Sequence, residues 1–247
     1  MRAGARLCWF RRFWGHLSPK GMYEYVTVRT RYVDDVFRAD AAKVRQVVIL
    51  GVGYDSRAIR FADELAAARV FEVDAPKPQA DKLLGIRLRK LSIPPNLTFV
   101  PVDFETQSAA ECLADAGFEK DLPTLYLLEG LTMYLTPEAI DETFRFIADS
   151  AGSGSILVFD HAYASILRGD EGPYGAKGVL RFLAKHGEPW RFGLDAADVP
   201  PFMARYGFVG TDQASPAELE RRFMTDRAGR LHGRVNGTQG LVTARTR

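Results

Sequence analysis

At 247 residues the chain has the length of one larger α/β domain, and 33 basic against 31 acidic side chains leave a net charge of +2. Such a balance gives no bulk field for nucleic acid or an anionic membrane, and 47% hydrophobic with 26% charged residues is ordinary for a folded domain. Two cysteines, Cys8 and Cys112, supply neither a disulfide framework nor a metal-ligand spacing, so the default setting is a reduced cytoplasm with no metal, and no apolar run reaches the roughly eighteen residues of a membrane span.

The first stretch carries Arg2, Arg6, Arg11, Arg12 and Lys20 with no acid before Glu24. Trp9, Phe10, Phe13, Trp14 and Leu17 would share one face of a helix. Residues 1–45 are therefore expected to form a helical cover on the domain, the alternatives being an interfacial membrane contact or a transit-type leader. Within it, Tyr23 to Asp35 reads as helix, where Arg29 and Arg31 would pair with Asp34 and Asp35 on a wet face.

Val47-Val48-Ile49-Leu50 then runs into Gly51 and Gly53, with a helix opening at Asp55 or Ser56 and burying Ala58, Ile59, Ala62, Leu65 and Ala66. A buried strand, a tight glycine turn and a helix N-terminus allow backbone to approach an anionic ligand. The second strand, Val70 to Asp74, brings Glu72 and Asp74 about twenty positions past the glycines, where an acid can bind ribose hydroxyls of a nucleoside-bearing cofactor. The next helix is expected to turn Leu83, Leu84, Leu88 and Leu91 inward and Lys82, Arg87, Arg89 and Lys90 outward.

Leu97 to Val102 is the third strand, with Asp103 and Phe104 at its carboxyl end; Asp103 could equally cap a helix opening near Thr106. Thr124 to Leu128 is the fourth, delivering Glu129 to the working edge of the sheet if strands one and four are neighbours. Thr136-Pro137 starts a helix with Ile140, Phe144, Ile147 and Ala151 buried, and Gly152 ends it. Ser155 to Asp160 is the fifth strand. The stretch 161–195 after it is too long for a simple crossover and is expected to be a lid over a substrate. His161, following Asp160, is a candidate base set against a hydrogen-bonded structural histidine. A sixth strand at Gly207 to Gly210, a helix near Ala217 to Arg227 and a seventh strand at Gly240 to Ala244 complete the chain.

Leu50-Gly51-Val52-Gly53-Tyr54-Asp55-Ser56-Arg57, Phe71-Glu72-Val73-Asp74, Leu128-Glu129-Gly130-Leu131-Thr132-Met133-Tyr134-Leu135 and Gly187-Glu188-Pro189-Trp190-Arg191-Phe192-Gly193-Leu194 together resemble the leucine carboxyl methyltransferase family, over roughly residues 21 to 212. The resemblance implies one Rossmann-like domain, a mostly parallel seven-stranded sheet with helices on both faces and an insertion after the fifth strand. It also implies S-adenosylmethionine (SAM) as methyl donor, with Arg29 (or Arg31) on its carboxylate and Glu129 on its amino group. Gly51, Gly53 and Asp74 would hold the turn and ribose, and Asp103 and Phe104 the adenine. The expected activity is metal-free methyl transfer to a carboxylate or hydroxyl oxygen of a small molecule. A nicotinamide oxidoreductase is the rival, but Ser56 stands where its fingerprint has a third glycine and no Tyr-x-x-x-Lys pair occurs. A binding module that has lost catalysis is the remaining alternative.

Overall fold

The computed structural model describes residues 18–246, apart from 104, 105 and 188. Seven strands form one sheet: β1 (Gln46–Leu50), β2 (Arg69–Asp74), β3 (Leu97–Pro101), β4 (Thr124–Leu128), β5 (Ile156–Ala162), β6 (Val209–Ala214) and β7 (Gln239–Arg245). Their order is β3-β2-β1-β4-β5-β7-β6, parallel throughout except at β7, which runs antiparallel to both neighbours. The Rossmann-like, mostly parallel sheet expected from the sequence is therefore present. β1 and β4 are all buried, as strands covered on both faces must be.

Chain direction reverses its lateral march between β1 and β4, which pair directly. Leu50 lies opposite both Val73 and Leu128. Gly51, Asp74 and Glu129 consequently emerge side by side, at the carboxyl ends of adjacent strands, where open α/β sheets bind ligands.

Helices α1 (Met22–Asp40), α2 (Arg57–Arg60), α3 (Pro76–Leu88), α4 (Ala109–Asp115), α5 (Pro137–Ser150), α6 (Ala164–Leu167), α7 (Ala176–His186), α8 (Val199–Arg205) and α9 (Pro216–Leu219) cover the two faces. α1 buries Tyr25, Val28, Tyr32, Val33 and Phe37, the spacing of one helical stripe, against the core that includes Val47, Ile49, Leu125 and Val158. Each such side chain contributes roughly 1.5–3 kcal/mol. On the opposite face α5 and α8 bring Phe144, Ile147, Phe202 and Met203 against Val48, Tyr126 and Phe159. Thr136 caps α5 through the Ala139 amide, as its sequence predicts. No helix among the described residues is long and apolar enough to cross a membrane.

Several expectations are corrected. The helix after the glycine turn stops at Arg60. Beyond it the Asn96 amide donates to the carbonyls of Leu65 and Ala68 at 2.8 and 2.7 Å, holding the chain in turns that still bury Phe61 and Leu65. α3 is inverted: Lys82 is buried while Leu84, Leu88 and Leu91 are exposed. Its ammonium lies 2.5 Å from Glu72 Oε2, a carboxylate that is itself 1% exposed. The α4 helix opens at Ala109 under a Ser108 cap, not near Thr106. α9 is one short turn followed by a wider π turn over Glu220–Met224. The sixth strand runs Val209–Ala214, later than expected. The basic-aromatic positions 1–17 and Phe104 lie outside the described residues.

Candidate functional site

The glycine turn sets the floor of the site. Gly51 adopts φ +65°, a conformation that favours glycine, and a Cβ there would stand 2.9 Å from the tip of the Leu131 side chain, which would have to shift. Gly53 donates its amide to Asp74 Oδ2 at 2.6 Å, and the Ala75 amide takes Oδ1 at 2.8 Å. A carboxylate has about four acceptor positions, so Asp74 keeps capacity for two hydroxyls.

Arg29 enters from α1. Its Nε donates to Glu129 Oε1 at 2.9 Å and its Nη1 to Asp160 Oδ2 at 2.6 Å. Arg31, the alternative, is exposed and donates to the Phe223 carbonyl, which removes it from the site. Burial alone would lower the Arg29 pKa, but the charge of Asp160, with Tyr25 and Glu129, raises it overall, so the guanidinium is permanently charged. Nor do Arg29 and Arg31 pair with Asp34 and Asp35; Asp34 belongs to Arg57 and Arg60, and Asp35 to Arg38.

Arg57, at the first turn of α2, is 3% exposed. It binds Asp34 at 2.8 Å and Glu129 Oε2 at 2.6 Å, and also bonds the Asp55 carboxylate. Three guanidinium groups (Arg29, Arg57, Arg60) thus interlock with four carboxylates (Asp34, Asp55, Glu129, Asp160), leaving this ion-pair cluster with one net negative charge. Arg29, Gly51, Asp55, Arg57 and Glu129 line a cavity of about 420 Å³ that Tyr54 overhangs.

The structure therefore brings Arg29, Gly51 and Glu129 into one wall, with Gly53 and Asp74 joined to it through the turn. Asp103 sits beyond the end of β3, exposed, with its amide on the Gln107 side chain. His161 stands apart. Successive strand residues point to opposite faces, so Asp160 turns toward Arg29 while His161 turns with Phe159 toward α5, 2% exposed, its Nδ1 3.0 Å from the Ala162 carbonyl. Burial lowers its pKa and keeps the ring neutral.

Sequence reasoning missed Asp160 and Arg57 as site residues. For Asp160 the signal existed: it ends an apolar strand, the same pattern that identifies Glu129. For Arg57 no local signal distinguishes it from any arginine in a first helical turn.

Comparison with known proteins adds the following. The model of the family described as leucine carboxyl methyltransferase matches residues 13–148. YktD of Bacillus subtilis (strain 168), named "Putative S-adenosyl-L-methionine-dependent methyltransferase", is 29% identical over 194 residues, covering 76% of this chain and 61% of that protein. A protein of Mycolicibacterium smegmatis carrying the same description is 40% identical over 186 residues, 74% of this chain and 58% of its own length. The chain spans about half to three-fifths of the curated relatives it matches. A solved structure titled "putative methyltransferase" from Thermobifida fusca superposes with a TM-score of 0.68 at 17% identity, over 95% of this chain and 86% of that one, which is a likeness of fold.

Proposed function

The chain belongs to the leucine carboxyl methyltransferase family, and we propose that it binds SAM in the Arg29–Glu129 pocket and transfers the methyl group to an oxygen of a small molecule. The observation that carries this reading is the Arg29–Glu129 pair beside the Gly51 turn, a fixed cation and anion complementary to the carboxylate and ammonium of an amino-acid group. The residues fit the donor in three further respects. Asp74 has acceptor capacity beside the turn, the cavity volume suits a nucleoside-sized ligand, and the cluster's net negative charge suits a sulfonium compound that is net positive.

SAM, when bound, supplies an electrophilic methyl group on sulfur. The protein's part is to hold. A guanidinium takes a carboxylate through two parallel hydrogen bonds, which is the role of Arg29, while Glu129 accepts from the ammonium and Asp74 from the ribose. Positioning of this kind supplies on the order of 7–11 kcal/mol of barrier reduction. The demethylated product is electrically neutral, so the same negative cluster holds it less well and favours exchange.

The acceptor is placed under the 161–195 segment. That segment is pinned across both strand ends: the Arg191 amide donates to the Met133 carbonyl at 2.7 Å and the Leu194 amide to Ala162 at 2.9 Å. Ile166, Leu180, Leu183 and Trp190 there line a cavity of about 550 Å³, which suits an apolar acceptor body. Trp190 Nε1 is buried with no acceptor among the described residues.

The test is thermal. SAM and S-adenosylhomocysteine at a hundred times Kd should each stabilise the native state by about 2.7 kcal/mol, read as a raised Tm. NADPH raising Tm with SAM silent would replace this reading with the oxidoreductase one.

A carboxylate acceptor is already ionised and needs no base. The geometry supports that acceptor over a hydroxyl, because Glu129 and Asp160 are held by Arg29 and His161 faces the other side of the sheet. His161→Ala is therefore expected to change turnover by less than about tenfold, measured as methyl transfer to a panel of small carboxylic acids with and without chelator. A base role would show as a loss of about 10²–10⁴-fold, with phenols as substrates, and strong chelator inhibition would refute metal-free transfer.

A further inference from the structure

We propose that Asp160 is a positioning residue that sets the pocket's selectivity for the amino-acid end of its ligand, acting through Arg29 and Glu129. This rests on the SAM reading of the pocket and deepens it.

Asp160 ends the apolar run of β5 and is fully buried. Its Oδ2 accepts from Arg29 Nη1 at 2.6 Å and from the Tyr25 hydroxyl at 3.1 Å, and its Oδ1 accepts from the Gly130 amide at 2.6 Å. With three donors and no exposure, the carboxylate does not reach a diffusing ligand. Its influence passes through the groups it holds.

Those groups belong to the two halves of the grip. Nη1 fixes the Arg29 guanidinium, whose Nε then meets Glu129. The Gly130 amide fixes a left-handed residue, φ +69°, immediately after Glu129, and so the direction in which that carboxylate leaves β4. One buried group therefore sets the relative placement of the cation and the anion. The Asp160 backbone carbonyl also accepts from the Thr132 hydroxyl, tying the 129–132 turn to the same point of β5.

A carboxylate is required because all three partners are donors. Asparagine would present an amide N–H₂ to at least one of them and set donor against donor. Asp160 also answers an electrostatic need. When a ligand ammonium draws on Glu129, Arg29 loses part of its counter-charge, and the buried carboxylate behind it keeps the guanidinium compensated and in register.

Titration calorimetry on the full chain separates this role from a merely structural one. S-Adenosylhomocysteine and 5′-methylthioadenosine share the adenosine and the thioether, and only the former has the amino-acid group. Asp160→Asn is expected to weaken S-adenosylhomocysteine by about 10–100-fold while 5′-methylthioadenosine stays within about twofold of wild type. Tyr25→Phe, which leaves the Arg29 and Gly130 contacts in place, should weaken S-adenosylhomocysteine by a few-fold and 5′-methylthioadenosine not at all. It decides the matter if Asp160→Asn does not fold. Equal losses for the two ligands, or unchanged affinity for both, would overturn the positioning role with the SAM reading intact. A wild-type chain that binds neither ligand overturns the SAM reading and this inference together.

Discussion

Arg57→Ala is expected to cost about 3–5 kcal/mol of folding stability. The guanidinium is 3% exposed and sits among Asp34, Asp55 and Glu129. Asp34 keeps Arg60 and Glu129 keeps Arg29 after the substitution, but Asp55 keeps only the backbone amide of residue 57. A half-buried carboxylate stripped of its ion partner is the costly outcome, and the removed guanidinium also leaves the face of the Phe37 ring it lies over.

The pH dependence distinguishes variant from wild type. In the wild type, burial raises the Asp34 pKa but its bonds to Arg60 and Arg57 win, and the net shift is downward. A depressed pKa contributes stability above the unfolded value near 4, lost as pH falls through the folded value. In the variant Asp34 keeps only Arg60, so its downward shift is smaller and the stability lost on acidification is smaller than in the wild type. Urea unfolding of both proteins at pH 7.5 and about 3.5 measures this. A variant within about 1 kcal/mol of wild type at pH 7.5, or one that loses as much stability on acidification as the wild type, would show that the cluster does not depend on Arg57.

The parts of the fold that were legible in the sequence are those fixed by local chemistry. The strand–glycine–helix sequence at Val47–Ser56 admits few conformations, and the all-apolar Thr124–Leu128 strand leaves Glu129 one place to go once β4 lies beside β1. Arg29 was legible only through family resemblance; its pattern alone placed it on a wet face beside Asp34. Asp160 repeats the Glu129 pattern one strand further along, but the adjacent histidine, on the opposite face of β5, drew the chemical reading. The inverted face of α3 was not legible, because periodicity registers where apolar residues recur and not what the facing strand requires.

That inversion carries the second large expected effect. Lys82→Met should destabilise the chain by about 3–5 kcal/mol, whereas Lys82→Met combined with Glu72→Leu should recover most of the loss. Glu72 is 1% exposed on β2, its Oε2 is 2.5 Å from the Lys82 ammonium, and its Oε1 has no hydrogen-bond partner among the described residues. Burial raises the Glu72 pKa and the neighbouring ammonium works against that rise. With the lysine gone the opposition goes too, the carboxyl protonates more readily, and the single variant should regain stability as pH falls toward 5. The double variant lacks the titrating group and should show no such gain. The leucines α3 turns outward follow from the same pair: a helix that must present Lys82 and Gln79 to β2 cannot also present Leu84 and Leu88. A double-mutant cycle in urea reads the coupling directly, and additive losses for the two single substitutions would mean that the pair does not hold α3 in its inverted orientation.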